Sequence, residues 1–83
     1  MDQGIQGMLP SKELIEKVRR SWVDVLGTQD VPTDVSFFQS GGNSLLLVLL
    51  HGELSKLAAR ALTLEELFRA DTVRSQALLL MQA

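Results

Sequence analysis

The chain has 83 residues, no cysteine and a net charge of −2 at pH 7, with 46% hydrophobic and 5% aromatic residues. Such a chain forms one small domain without a disulfide or a thiolate–zinc site. The few aromatic residues favour packed helices over a β-sandwich, and the acidic balance argues against nucleic-acid binding. The longest apolar run, residues 45–50, is too short to span a membrane. Without a secretory signal, we expect a cytoplasmic protein.

The first helix is predicted over residues 12–26, because its apolar positions recur on one face at helical spacing. Ser11 suits the N-cap and Gly27 the position after the helix. The apolar positions are Leu14, Ile15, Val18, Trp22, Val25 and Leu26. Trp22, the only tryptophan, is therefore predicted to be buried.

Residues 28–43 are predicted to form a long loop, because they are rich in turn-forming residues. A loop of this length in a small domain usually has a function. Four apolar residues are expected to fasten it to the core: Val31, Val35, Phe37 and Phe38. For the two phenylalanines, packing in the core is favoured over stacking on a ligand.

A second helix is predicted over residues 44–59. One stripe faces the core and consists of Leu47, Leu50, His51, Leu54, Leu57 and Ala58. His51 is interpreted as a histidine that flanks the core. On the opposite side the first turns carry Leu45, Val48 and Leu49, which indicates either burial on every side or a docking surface.

Thr63 and Glu66 match a capping box that opens a short third helix ending near residue 69. Asp71 is expected to cap a fourth helix, whose apolar positions are Val73, Ala77, Leu80 and Met81. The sequence thus predicts an all-α, small four-helix bundle with a long first loop and a short third helix. We expect one domain over residues 11–83 after a flexible lead-in over residues 1–10.

The sequence offers no catalytic or metal site. It has one histidine and no cysteine, and Ser44 and His51 would lie about 10 Å apart along one helix, too far for a nucleophile–base pair. The segment that stands out is Gly41-Gly42-Asn43-Ser44, in which the glycines permit unusual backbone angles and close approach of another molecule. A helix start also favours an anion. Taken alone, the segment is more simply an N-capping serine behind a flexible turn.

Residues 37–46, Phe-Phe-Gln-Ser-Gly-Gly-Asn-Ser-Leu-Leu, resemble the signature of carrier proteins of nonribosomal peptide and polyketide synthases. The resemblance covers residues 11–82, and it extends to Asp34, Leu62-x-Leu64, Leu67-Phe68 and Thr72-Val73. Three positions depart from the family pattern: Asn43 replaces a His or Asp, Asp71 a Pro, and Ala59 a Gly. The last change is expected to lengthen the second helix.

The resemblance implies that Ser44, beside Gly41, Gly42 and Asn43, carries a covalent 4′-phosphopantetheine transferred from coenzyme A by a phosphopantetheinyl transferase. The thiol of this group would hold an acyl, aminoacyl or peptidyl intermediate as a thioester. The chain would then need no catalytic residue of its own, because partner enzymes supply the chemistry.

The resemblance also implies that the second helix faces those partners, with Leu45, Val48 and Leu49 at the contact. The expected partners of the monomer are adenylation, condensation, ketosynthase, tailoring and thioesterase enzymes or domains, with no nucleic acid and no membrane.

Two alternatives remain: an unmodified helical adaptor and a fatty-acid-type carrier. The fatty-acid type ranks lower, because Glu53 is the only acid of this helix. A helix-turn-helix DNA binder and an enzyme rank lowest.

Overall fold

A computed structural model describes residues 10–82 of the chain. Over this range the chain forms α-helices and no β-strand, which confirms the all-α prediction. The helices are α1 (Lys12–Leu26), α2 (Ser44–Ser55), α3 (Leu64–Arg69) and α4 (Val73–Leu80). The predicted lead-in lies, apart from Pro10, outside the described residues, so the bounds of the domain stay a prediction.

Helix α1 has the predicted bounds because both of its ends are capped. The Ser11 hydroxyl accepts a hydrogen bond from the Leu14 backbone N–H (3.1 Å). Gly27 follows the helix with a φ of 74°, a left-handed conformation that suits glycine, and its N–H donates to the Val23 carbonyl. The predicted capping box of Thr63 and Glu66 at the start of α3 is also confirmed.

Two predicted helix boundaries are wrong. Helix α2 ends at Ser55 rather than near residue 59, because the chain tightens there into i→i−3 hydrogen bonds from Lys56 and Leu57. Helix α4 is capped by Thr72 rather than by Asp71, since the Thr72 hydroxyl accepts from the Ser75 backbone N–H (3.0 Å). The Asp71 carbonyl instead accepts a hydrogen bond from the Phe37 N–H (2.7 Å).

Helix α1 packs against α2 and α4, and α3 packs against α2. Their inward faces form one core, and Trp22 is fully buried in it as predicted. The other buried apolar residues are Val18, Val31, Phe37, Leu47, Leu50, Leu54, Leu62, Leu67, Val73, Ala77 and Leu80. The core also contains Gln76, a fully buried polar residue that the helical pattern does not reveal.

The long loop between α1 and α2 is held at several points. Val31 and Phe37 are buried in the core, as expected, and Val35 is partly buried. The Arg74 backbone N–H donates to the Thr33 carbonyl (3.1 Å), and its guanidinium donates to an Asp34 carboxylate oxygen (2.8 Å). These contacts hold the loop against the core and against α4. Among residues 10–82 the helices are too short or too polar to cross a membrane.

Candidate functional site

The segment before α2 is a tight turn closed by its own backbone. The Ser40 N–H donates to the Ser36 carbonyl (3.0 Å), and the Gly42 N–H donates to the Phe37 carbonyl (2.9 Å). Gly41 has a φ of 107°, which residues with a side chain rarely adopt. The turn therefore needs glycine at position 41 for its backbone conformation.

Gly42 is required for a different reason. A Cβ at this position would overlap the Phe37 ring and lie 2.8 Å from the Phe37 carbonyl oxygen. The sequence suggested that the glycines admit another molecule. At Gly42 the close neighbour is the protein's own Phe37, which is fully buried. The lack of a side chain at position 42 therefore lets the turn pack directly against the core.

Asn43, and not Ser44, is the N-cap of α2. The Asn43 backbone is extended, its side-chain oxygen accepts from the Leu46 N–H (2.9 Å), and its carbonyl accepts from the Leu47 N–H (2.9 Å). Ser44 is the first residue of the helix. The interpretation of Ser44 as an N-capping serine is therefore wrong, and its hydroxyl is not used to cap the helix.

Ser44 is exposed, and its hydroxyl makes no hydrogen bond within residues 10–82. Three other serines near the motif are engaged or hidden. The Ser36 hydroxyl accepts from the Phe38 N–H (3.1 Å), the Ser55 hydroxyl donates to the His51 carbonyl (2.7 Å), and the Ser40 hydroxyl oxygen is buried. Among these four serines, Ser44 therefore combines an exposed position with a hydroxyl that makes no hydrogen bond within residues 10–82.

The surroundings of Ser44 suit an anion and offer no catalytic base. In the part of the chain that the structure describes, the backbone N–H groups of Ser44 and Leu45 have no acceptor, as is usual at a helix start. The positive end of the α2 dipole lies at the same place. Residues 37–48 contain no titratable side chain, and within residues 10–82 no basic or acidic side chain is hydrogen-bonded to the Ser44 hydroxyl.

His51 has a structural role. It is partly buried, and its Nε2 donates to the Leu62 carbonyl (2.7 Å), which ties α2 to the loop before α3. This agrees with the interpretation as a histidine that flanks the core. Residues 10–82 contain no cluster of three or more histidine or acidic side chains that could hold a metal ion.

An exposed apolar surface adjoins the serine. Along α2, Leu45, Val48 and Leu49 are 70%, 49% and 54% exposed, so these residues are not buried on every side. Phe38 is 37% exposed and stacks on Phe68 of α3, which is 49% exposed, with ring centroids 5.8 Å apart. The expectation that Phe38 packs in the core is therefore wrong. The Phe37 side chain points into the core, and the Phe38 side chain points toward the surface.

Comparison with known proteins gives this site its context. Residues 16–80 match the family described as "Phosphopantetheine attachment site". The chain is 38% identical over 72 residues to the PKS-NRPS hybrid synthetase acdB of Aspergillus candidus, and the match covers 87% of this chain and 3% of that protein. It is 38% identical over 74 residues to the indigoidine synthase of Dickeya dadantii, covering 89% and 5% respectively.

A third relative, bacitracin synthase 1 of Bacillus licheniformis, is 31% identical over 74 residues, covering 87% of this chain and 1% of the relative. The chain thus spans only a few per cent of the length of these relatives. Members of the family carry a covalently attached 4′-phosphopantetheine, and such carrier domains tether intermediates for the other domains of a synthetase. The chain belongs to the phosphopantetheine attachment family and is a carrier, or thiolation, domain of the nonribosomal peptide and polyketide synthase type.

Proposed function

We propose that Ser44 is the residue to which 4′-phosphopantetheine is attached. The observation that carries this proposal is the contrast among the serines of the motif region. Ser44 alone combines an exposed position with a hydroxyl that is not hydrogen-bonded within residues 10–82, whereas Ser36, Ser40 and Ser55 are engaged or buried. The Ser44 hydroxyl, at the start of α2, is therefore the one that a transferase can reach.

The residues around Ser44 fit the group. Asn43 caps the helix, so the Ser44 oxygen is left for a phosphodiester, whose negative charge the free N–H groups of the helix start favour. Gly41 and Gly42 shape the turn that exposes the serine. When bound, the group supplies a thiol that holds an acyl, aminoacyl or peptidyl chain as a thioester.

We infer that the chain is not itself an enzyme, because the motif offers neither a nucleophile–base pair nor a titratable group. A phosphopantetheinyl transferase would load Ser44. The partners after loading would be adenylation, condensation, ketosynthase, tailoring or thioesterase domains. The relatives favour these partners over those of a fatty-acid carrier and over an unmodified adaptor. The cytoplasmic location stays a prediction.

We propose the apolar surface of α2 as the docking surface for these partners. Leu45, Val48 and Leu49 are exposed on the same helix as Ser44, and a solvated helix rarely exposes three neighbouring aliphatic side chains without a partner. The stacked rings of Phe38 and Phe68 are a further exposed apolar feature, contributed by the loop and α3. Aromatic and aliphatic anchors of this kind provide binding energy at interfaces.

Intact-mass measurement tests the attachment. The chain incubated with coenzyme A and a broad-specificity phosphopantetheinyl transferase should gain the mass of one phosphopantetheine, and peptide mapping should place it on Ser44. Ser44→Ala should fold and gain no mass, whereas Ser55→Ala, the matched change at an exposed serine of the same helix, should be modified. A folded chain that stays unmodified, or that is modified on another serine, would contradict the proposal.

A further inference from the structure

Gln76 is a buried polar side chain that the attachment of a prosthetic group does not explain. Its amide oxygen accepts a hydrogen bond from the Trp22 indole N–H (2.8 Å), and both side chains are fully buried. An indole nitrogen can only donate, so the amide must turn its oxygen toward Trp22. The Gln76 Nε2 then has no partner within residues 10–82.

An unpaired buried N–H costs free energy, so glutamine is not the residue that a core would select for stability alone. What the amide provides is a directional contact to one atom of Trp22. The hydrophobic effect is non-directional, whereas this hydrogen bond requires the indole N–H to point at the amide oxygen. The hydrogen bond therefore fixes the orientation of the indole ring between α1 and α4.

From Trp22 the contacts continue to the attachment turn. The rings of Trp22 and Phe37 meet edge to face, with centroids 5.0 Å apart and planes at 84°. The Phe37 ring in turn occupies the space beside Gly42, and its carbonyl accepts the Gly42 N–H (2.9 Å). Gly42 lies two residues before Ser44. Each contact involves a rigid ring or backbone atoms, so a displaced indole displaces the turn.

We propose that Gln76 is a positioning residue for the attachment site. By holding the Trp22 indole, it fixes the Phe37 ring and thereby the turn of residues 41–43 that presents Ser44. The effect on modification rests on the proposed role of Ser44, but the effect on the turn does not, and the two can be measured separately.

The conformation of the turn is measured by NMR on two variants that break the same hydrogen bond from opposite sides. Gln76→Met removes the acceptor, and Trp22→Phe removes the donor. We expect the backbone amide resonances of Gly42 and Asn43 to shift in both variants, and the double variant to show no larger shift than the stronger single one. Unchanged Gly42 and Asn43 resonances in either folded variant would overturn the proposal.

The kinetics of modification separate positioning from a general loss of stability. A misplaced hydroxyl should lower the kcat of the transferase about tenfold, whereas KM should stay within about twofold because the surface of α2 is unchanged. Leu80→Ala is the control, since it opens the core near the end of the same helix and makes none of these contacts. Leu80→Ala should be less stable and have the wild-type kcat.

An equal fall of kcat in Leu80→Ala would overturn the positioning role. Modification of a serine other than Ser44 would instead contradict the proposed function, and the NMR result for Gly42 would still decide whether Gln76 fixes the turn.

Discussion

The Phe37 ring occupies the space that a side chain at Gly42 would need. The obstacle is a fully buried ring together with a backbone carbonyl, and neither can turn away as the end of a flexible side chain could. The composition of the motif thus follows from packing as well as from access to the serine.

Gly42→Ala should therefore destabilise the domain by about 1–3 kcal/mol, the usual cost of overpacking a core. Gly52→Ala is the matched control. Gly52 lies within α2 with nothing within 4 Å of the position of a Cβ, so alanine there should stabilise the helix by about 0.5–1 kcal/mol. Urea unfolding followed by circular dichroism measures both changes. An equal effect of the two substitutions would show that the Phe37 contact does not restrict position 42.

Much of the fold could be predicted because the sequence features that define its helices are local. The strong helical period of α1 and its caps at Ser11 and Gly27 define that helix without help from the rest of the chain. The capping box of Thr63 and Glu66 does the same for α3. Such local signals fix both ends of α1 and the start of α3, whereas the caps of α2 and α4 are Asn43 and Thr72 rather than Ser44 and Asp71.

The sequence-based predictions were wrong where tertiary contacts, rather than local sequence, determine the structure. No glycine or proline marks the end of α2, and the chain leaves the helix at Ser55 on the way to Leu62, which is buried and accepts the hydrogen bond from His51. Two adjacent phenylalanines gave no sign that Phe37 would point inward and Phe38 outward. The helical pattern of α4 gave no sign that Gln76 is buried, because glutamine is polar and its hydrogen-bond partner lies on another helix.

Trp22→Ala should destabilise the domain by about 3–5 kcal/mol, the usual cost of removing a large buried aromatic side chain. The indole is fully buried, contacts the Phe37 ring edge to face and donates to Gln76, so its loss would leave both a cavity and a buried amide without its partner. Such a loss is a large share of the 5–15 kcal/mol that is typical of small proteins. Chemical denaturation of both proteins gives the difference, and a value below about 1 kcal/mol would contradict the central position of Trp22.

Glu66 should make the stability of the domain depend on acid pH. Hydrogen bonds from the Arg60 guanidinium, and then from the Thr63 backbone N–H, lower the pKa of Glu66 from 4.5 to about 2. Because the pKa is lower in the folded state, the stabilisation is fully present above about pH 4.5 and is lost as the pH falls toward 2. The urea midpoint of the wild type should therefore fall over this range.

Glu66→Gln should lower the midpoint at pH 6 and flatten its fall between pH 4.5 and 2. The bond from Arg74 likewise lowers the pKa of Asp34, so some dependence on pH should persist in this variant. Glu65→Gln is the control for the loss of one carboxylate charge. Glu65 precedes Glu66 and forms an ion pair with Arg69 in which both side chains are exposed to solvent. Identical pH profiles for Glu66→Gln and the wild type would contradict the role of the Arg60 contact.

Val48 provides the sharpest test of the docking surface, because it lies one turn beyond Ser44 and is about half exposed. Val48→Ala should change the free energy of unfolding by no more than about 0.5 kcal/mol, as is usual for a surface position. Leu50→Ala, two residues further on and fully buried, should cost about 2–5 kcal/mol. If Val48→Ala were as damaging as Leu50→Ala, the helix would be packed on that side and the docking proposal would be wrong.

Val48→Asp should remain helical and monomeric but should be handled poorly by partner enzymes, because it places a charge where an apolar contact is proposed. Loss of one aliphatic anchor and burial of a carboxylate should slow loading or transfer by a partner domain about tenfold or more. Leu78→Asp is the matched control, since Leu78 is similarly exposed but lies on α4 rather than on the surface of α2. Transfer rates from the modified proteins, compared at equal concentration, distinguish the two positions. Equal rates for Val48→Asp and Leu78→Asp would place the contact with partners elsewhere on the domain.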